Sequence, residues 1–184
     1  TRCNGKSIWL AEIEVAYKNG NSWLADEATP KMPIVKIGGE KMHRIKDTDP
    51  LADTREKIKA VRPVTGQVLD THTGLGYTAI EAARTADAVL TIEIDPTVLE
   101  TAAENPWSRD LFDNPKITRR LGDCFDVVDE LPDAAFDRVI HDPPAFSLAG
   151  HVYSRDFYQE LHRVLRRRGR LFHYIGNPDS PSGK

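Results

Sequence analysis

Four acids in this chain each follow a short apolar run. Asp70 closes QVLD, Glu93 closes AVLTIE, Asp123 follows ITRRLG, and Asp142 follows FDRVIH. A carboxylate accepts hydrogen bonds and attracts cations, so acids at several strand ends suit a ligand rich in donors. After Asp70 comes THTGLGYT, where Gly74 and Gly76 permit a tight turn and close approach of backbone to a ligand. A helix beginning near Tyr77 would aim free N–H groups at whatever lies above the loop. Gly74, Gly76 and Ala79 also satisfy the dinucleotide pattern G-x-G-x-x-G/A, with Glu93 nineteen residues beyond Gly74. An NAD-dependent oxidoreductase is therefore one reading.

Asp70 weighs against that reading. A carboxylate beneath the glycine loop would repel a pyrophosphate but could bind an ammonium, directly or through water. Glu93 is placed to accept from two ribose hydroxyls, and Asp123 from an adenine amino group. One ribose, one adenine and no phosphate fit S-adenosylmethionine better than NAD. Taken singly, each acid is as readily a helix cap or a loop residue; their joint placement favours the ligand. The expected cofactor lining is Asp70, Thr71, His72, Gly74, Gly76, Tyr77 and Thr78 on the loop, then Glu93, Ile94, Asp123 and Cys124.

The stretch HDPPAF carries the second half of the chemistry. Asp-Pro-Pro fixes the backbone at two successive residues and leaves carbonyls without neighbouring N–H competition. The Asp142 carboxylate and the Pro143 carbonyl could both accept from an amino group and align its lone pair on a sulfonium methyl. Pro144 stiffens the turn, and Phe146 could stack on a flat ring.

Elements that would position these residues alternate after residue 60. Strands are expected at QVLD, AVLTIEI, ITRRLGD, FDRVIHD and RLFHYIG, with helices at YTAIEAARTA, PTVLETAAEN, CFDVVDEL and DFYQELHRVL between them. Such alternation implies an α/β fold, a doubly wound, mostly parallel, Rossmann-like sheet whose ligands bind beyond the strands' carboxyl ends. Before residue 60, the β-like pieces IWLAEIEVAY, PIVKI and KMHRI are separated by glycine turns. The expected organisation is a β-rich appendage over 1–60 and a cofactor-binding domain over 61–184, cut short after its fifth strand, since NPDSPSGK alone follows.

Composition bounds the function. Hydrophobic residues make up 40% and charged residues 29% of 184, the profile of a soluble globular domain, with no run long enough to cross a bilayer. Two distant cysteines suit a reducing, cytoplasmic setting, and no signal peptide opens the chain; its start at Thr1 suggests a trimmed or excerpted sequence. The net charge of −3 argues against a uniformly basic nucleic-acid binder. Its distribution matters more, because Lys31, Lys36, Lys41, Arg44, Lys46, Arg55, Lys57, Lys59 and Arg62 crowd one segment. Arg163, Arg166, Arg167, Arg168 and Arg170 form a second cluster. A polyanion could use such patches, although solvated lysines explain the first as well. Arg166 to Arg168 read as a solvated helix end that suits the helix dipole. His141 and His173 end neighbouring strands and read as hydrogen-bonded structural histidines.

With these motifs in hand, the chain resembles class I S-adenosylmethionine-dependent methyltransferases over residues 62–177. VLDTHTGLG looks like their first motif, TIEID the acidic second, GDCFD the third, and HDPPAF the D/N-P-P-aromatic motif of enzymes that methylate nucleic-acid amino groups. More narrowly, KMHRIKDTDP, ENPWSRDLF, IHDPPAFSLAG and LFHYIGNP are similar to a family of archaeal proteins predicted to be methyltransferases. The resemblance implies S-adenosylmethionine as cofactor and RNA as partner, rRNA or tRNA, with a base amino nitrogen such as cytidine N4 as target. Ala145, which separates the prolines from Phe146, departs from the usual motif and leaves other ring positions open. Methylation at pyrimidine C5 is excluded by the lack of a cysteine after the fourth strand, and zinc by the histidine and cysteine spacing. The alternatives are a small-molecule or protein N-methyltransferase, an aminopropyltransferase, and a catalytically silent RNA-binding module.

Overall fold

The protein is described from a computed structural model at residues 13–16, 34–37, 40–41, 49–144 and 146–175, with backbone alone at 13–41, 147 and 148. Three short strands, β1 (Ile13–Ala16), β2 (Ile34–Ile37) and β3 (Glu40–Lys41), form an antiparallel sheet in sequential order. KMHRI was expected as a strand, and beyond Lys41 it lies outside the described residues.

The expected β-rich segment does not run to residue 60, because Pro50–Ala60 is a helix, α1. Asp49 caps it, accepting from the Leu51 and Ala52 N–H groups at 2.9 Å, and Pro50 occupies the first turn, where its missing N–H costs nothing. An acid followed by proline was a legible start signal. Ile58 of α1 and the following Val61 and Val64 are buried in the same core as Val68, Ala79 and Ala82. Helix α1 is thus part of the larger unit.

That unit is a five-stranded parallel sheet with helices on both faces. The chain order is β4 (Gln67–Asp70), α2 (Tyr77–Ala83), β5 (Ala88–Glu93), α3 (Pro96–Glu104), α4 (Arg109–Asp113), β6 (Ile117–Leu121), α5 (Cys124–Asp129), β7 (Phe136–His141), α6 (Phe146–Ala149), α7 (Arg155–Val164) and β8 (Leu165–His173). The strands lie side by side as β6-β5-β4-β7-β8. Successive strands add on one side of β4, then the chain returns and adds on the other. In doubly wound sheets such a reversal marks where ligands bind, here at the carboxyl ends of β4 and β7.

Alternation along the strands feeds two cores. Val68, Val89 and Ile140 point to the face covered by α1 and α2, whereas Leu69, Ile92 and Val139 point to the face covered by α5 and α7, with Phe157 and Leu161. Strands buried on both faces read as continuous apolar runs, which is why they were visible in the sequence. One expectation fails at the far edge. Helix α7 ends at Val164, and Arg166 to Arg168 lie in β8 rather than on a helix end. Arg166 is held there by Asp137 Oδ2 at 2.6 Å and the Ala134 carbonyl at 3.0 Å. Cross-strand partners at the β7 end outweigh any dipole contribution at the α7 terminus.

Candidate active site

The loop after β4 extends the sheet on both sides before it turns. Thr71 N–H donates to the Ile140 carbonyl at 3.0 Å and Thr73 N–H to the Ile92 carbonyl at 2.8 Å. Asp70 beneath it is fully buried. Its Oδ2 accepts from the Thr78 and Thr91 hydroxyls at 3.1 and 2.9 Å, while Oδ1 has no donor among the described residues. Burial pushes the Asp70 carboxyl up to about 7 against the pull of the two hydroxyls, and the Asp142 charge adds to the rise. An unmatched buried acceptor is costly, and an arriving ammonium or water would satisfy it.

The two glycines serve different partners. Gly74 has φ of +51° and a side chain added there would meet nothing within 4 Å, so it faces open space. Gly76, at φ +79°, lies against Leu111 of α4, whose Cδ2 would be 2.7 Å from an added Cβ. Only Gly74 offers its surface to a ligand. Tyr77 likewise turns inward: its ring is buried and its hydroxyl accepts from Asn105 Nδ2 at 2.9 Å. The same Asn105 amide reaches Ser108, whose hydroxyl donates to the Leu75 carbonyl at 2.6 Å. The motif ENPWS is therefore a brace for the glycine loop.

A directed chain of hydrogen bonds crosses beneath the crevice. His141 Nε2 lies 3.1 Å from the Val152 carbonyl and must donate to it, so His141 Nδ1 accepts from the Thr71 hydroxyl at 2.8 Å. That hydroxyl has one proton, which the His141 ring at 2.8 Å takes ahead of the Ile140 carbonyl at 3.3 Å, so it accepts in turn from His72 Nδ1 at 2.8 Å. His72 Nε2 is left to accept from the Cys124 thiol at 3.7 Å. Burial supports each role, pushing the Cys124 thiol up to about 12 and both imidazoles down to about 3. Thr71, His72 and Cys124 are thereby committed to each other. His141 is the structural histidine expected, and His173 accepts or donates at 3.1 Å to the Tyr158 hydroxyl.

Beyond β5 and β6 lies the second wall. Glu93 Oε2 accepts from Gly74 N–H at 2.9 Å, and Oε1 from the Ile94 and Asp95 N–H groups at 3.0 and 3.1 Å. Three of about four acceptor sites are taken, so Glu93 grips the loop and keeps capacity on Oε2. Ile94 and Leu121 are 53% and 55% exposed, an apolar ledge beside that carboxylate. Asp123 caps α5 through Phe125 N–H at 2.9 Å and faces His151 Nε2 at 3.2 Å. The helix-cap reading of Asp123 therefore holds, with its second oxygen turned outward to His151.

The loop after β7 closes the crevice. Tyr174 N–H donates to the His141 carbonyl at 3.0 Å. Asp142 Oδ2 is 2.5 Å from the Lys57 ammonium, which also lies 2.7 Å from Asp53 Oδ2 on its own helix. Among the described residues no other bond reaches the Asp142 carboxylate. Burial opposes the Lys57 charge, yet its two carboxylate partners win and hold its pKa above the ordinary lysine value. Pro143 is buried, and the Pro144 carbonyl accepts from the Tyr153 hydroxyl at 2.8 Å. Phe146 is 64% exposed and meets Tyr153 edge-on, ring centres 5.5 Å apart. Sequence reasoning missed Lys57, Asp53 and Tyr153. The spacing in DTREK, an acid four residues before a lysine, was the available signal, and it speaks to an ion pair on a helix face, not to a partner at Asp142. Among the described residues no three His, Cys, Asp or Glu side chains are grouped to hold a metal ion.

Comparison with known proteins bears on the family and the fold. Residues 69–173 match the family described as "Methyltransferase domain". An uncharacterized protein of Methanocaldococcus jannaschii is 55% identical over 147 residues, 79% of this chain and 51% of that protein. The chain thus spans about half the length of this curated relative. Spermidine synthase of Thermotoga maritima superposes with a TM-score of 0.65 at 19% identity, covering 80% of this chain and 51% of that one. MnmC2 of Aquifex aeolicus superposes with a TM-score of 0.61 at 16% identity, covering 88% and 59%. At these identities the two structures speak to the fold alone.

Proposed function

The chain belongs to the methyltransferase-domain family, and on that premise we propose that it moves the methyl group of S-adenosylmethionine to an amino nitrogen of an RNA base. Cytidine N4 in ribosomal or transfer RNA is the position we favour. The observation that carries the reading is the meeting of three strand ends at one crevice. Asp70 ends β4, Asp142 follows the neighbouring strand β7, and Glu93, ending β5, is tied to the same glycine loop.

The residues fit the cofactor. The unmatched Asp70 Oδ1 suits its ammonium, Glu93 Oε2 a ribose hydroxyl, the Asp123 carboxylate an adenine amino group, and the Ile94 ledge a flat ring. The cofactor supplies a methyl group on a positively charged sulfur. Everything else falls to the chain. An exocyclic amine is a poor nucleophile because its lone pair is delocalised into the ring. Asp142 and the Pro143 carbonyl, by accepting its two hydrogens, hold it so that the lone pair faces the methyl. One proton must leave the nitrogen as it gains the methyl, and Asp142 is the acceptor for it. Phe146, exposed beside that loop, supplies a face for the base, and the exposed Arg167 and Arg168 on edge strand β8 suit a phosphate backbone.

The test is transfer of labelled methyl from S-adenosylmethionine to total RNA, followed by mass spectrometry of the nucleosides. Methylated cytidine is the expected product. Label appearing only in protein or small molecules would replace the RNA acceptor, and aminopropyl transfer from decarboxylated cofactor would replace the reaction. Calorimetric binding of NAD in preference to S-adenosylmethionine would return the chain to the oxidoreductases.

A further inference from the structure

Helix α1 reaches the HDPPAF loop through one side chain. Lys57 is 8% exposed, and its ammonium bridges Asp142 Oδ2 at 2.5 Å and Asp53 Oδ2 at 2.7 Å. It also stands 5.5 Å from the centre of the Tyr174 ring. Asp53 is one helical turn before Lys57 and is itself 8% exposed, so the ammonium is pinned from its own helix before it meets Asp142. A buried cation held at both ends is a rigid fixture, unlike a surface lysine.

We propose that Lys57 is a positioning residue for methyl transfer, occupying Asp142 Oδ2 so that Oδ1 alone meets the acceptor's amino group, and keeping that carboxyl ionised. The proposal rests on the reading above, in which Asp142 accepts from the amine. Chemistry requires such a device. Burial raises the Asp142 carboxyl, whose side chain is 20% exposed, and the Lys57 cation opposes that rise. Protonated, it would present a donor to an amino group that is itself a donor. Lys57 prevents that inversion, and by filling one oxygen it fixes which edge of the carboxylate faces the crevice. The ionised Asp53–Lys57–Asp142 group carries one net negative charge, of the sign that suits a positively charged sulfur nearby.

Other charged or titratable groups face Asp142 as well. Asp53 lies behind Lys57, Tyr174 follows β8, Tyr153 sits in the turn before α7, and Asp70 ends β4. The His141 ring, adjacent in sequence, is engaged with Thr71 and the Val152 carbonyl. Lys57 is the cation in this set, and Asp53 the carboxylate that competes for it.

The experiment follows turnover of the full chain against pH for wild type, Lys57→Met, Lys57→Arg and Asp53→Asn. The carboxyl carbon of Asp142 is titrated by NMR in aspartate-labelled protein without substrate. Lys57→Met should lower kcat at least about tenfold with little change in cofactor affinity. Its acid limb, and the Asp142 titration, should move up by about 1–3 pH units, the range one opposite charge commands. Lys57→Arg should restore most of the turnover. Asp53→Asn should move the limb the opposite way, because a competing carboxylate is gone while Lys57 stays. A folded Lys57→Met protein with wild-type kcat and acid limb overturns the proposal. An Asp142 titration indifferent to Lys57 also overturns it. If Lys57→Met does not fold, an Asp142 titration unmoved in Asp53→Asn overturns it. Wild-type protein inert toward RNA would remove the RNA reading instead, and the carboxyl titration would still decide the role of Lys57.

Discussion

Replacing Asp70 by Asn should stabilise the protein above neutral pH while impairing cofactor binding. Asp70 is fully buried, Oδ1 has no donor among the described residues, and burial raises the carboxyl from an ordinary 3.8 to about 7. That rise corresponds to about 4 kcal/mol favouring the protonated form in the folded state. The folded pKa lies above the unfolded one, so this contribution is fully present below the unfolded value and is lost as pH rises through about 7. Wild type should therefore lose about 3 kcal/mol between roughly pH 5 and pH 8 from this residue alone. Asn carries no charge, and its carbonyl can still accept from Thr78 and Thr91. Its amide N–H groups would take the place of Oδ1 without an acceptor, which costs about 1–3 kcal/mol. The net expectation is a gain of about 1–3 kcal/mol near pH 8 that vanishes or reverses near pH 5. Denaturant unfolding at both pH values measures it. In the same protein, affinity for S-adenosylmethionine should no longer rise with pH through about 7, as it does when an ammonium draws a proton off Asp70. Equal pH slopes of stability in wild type and Asp70→Asn would refute the reasoning.

Three further outcomes are expected. Glu93→Ala should weaken S-adenosylmethionine at least about tenfold, because it removes charge-assisted bonds to the loop and to the ribose worth ~1.5–3 kcal/mol each; unchanged affinity by calorimetry in folded protein would remove Glu93 from the site. Asp142→Ala should cut turnover by a factor on the order of 10²–10³ with much less effect on cofactor binding, whereas Phe146→Ala should weaken RNA binding by ~1–3 kcal/mol. Near-normal turnover in Asp142→Ala would sink the positioning mechanism. Gly74→Ala should lose some stability to its positive φ and bind cofactor poorly, while Gly76→Ala should melt lower still because its new methyl also meets Leu111. Melting curves and cofactor titrations that fail to separate the two would contradict the different roles assigned to them.

Much of this architecture was open to the sequence because its causes are local. Val68 and Leu69 are apolar in succession since a parallel strand is covered on both faces, and Gly74 follows Asp70 since the chain must turn above a buried carboxylate. The order of β and α segments then implies the sheet and puts Asp70, Glu93 and Asp142 at one end of it. What the sequence did not reveal depends on contacts between segments far apart in the chain. Lys57 and Asp142 are 85 positions apart, and no spacing rule joins a helix-face lysine to a strand-end acid. Only the packing of α1 against α2, beside the carboxyl end of β7, makes them partners. The same holds for Gly76, whose freedom serves Leu111 rather than a ligand, and for Cys124, His72, Thr71 and His141. Their donor and acceptor roles follow from one carbonyl at Val152. Strand patterns are written by burial, residue by residue; which side chain completes another's hydrogen bonds is decided when helices from different parts of the chain come together over the sheet.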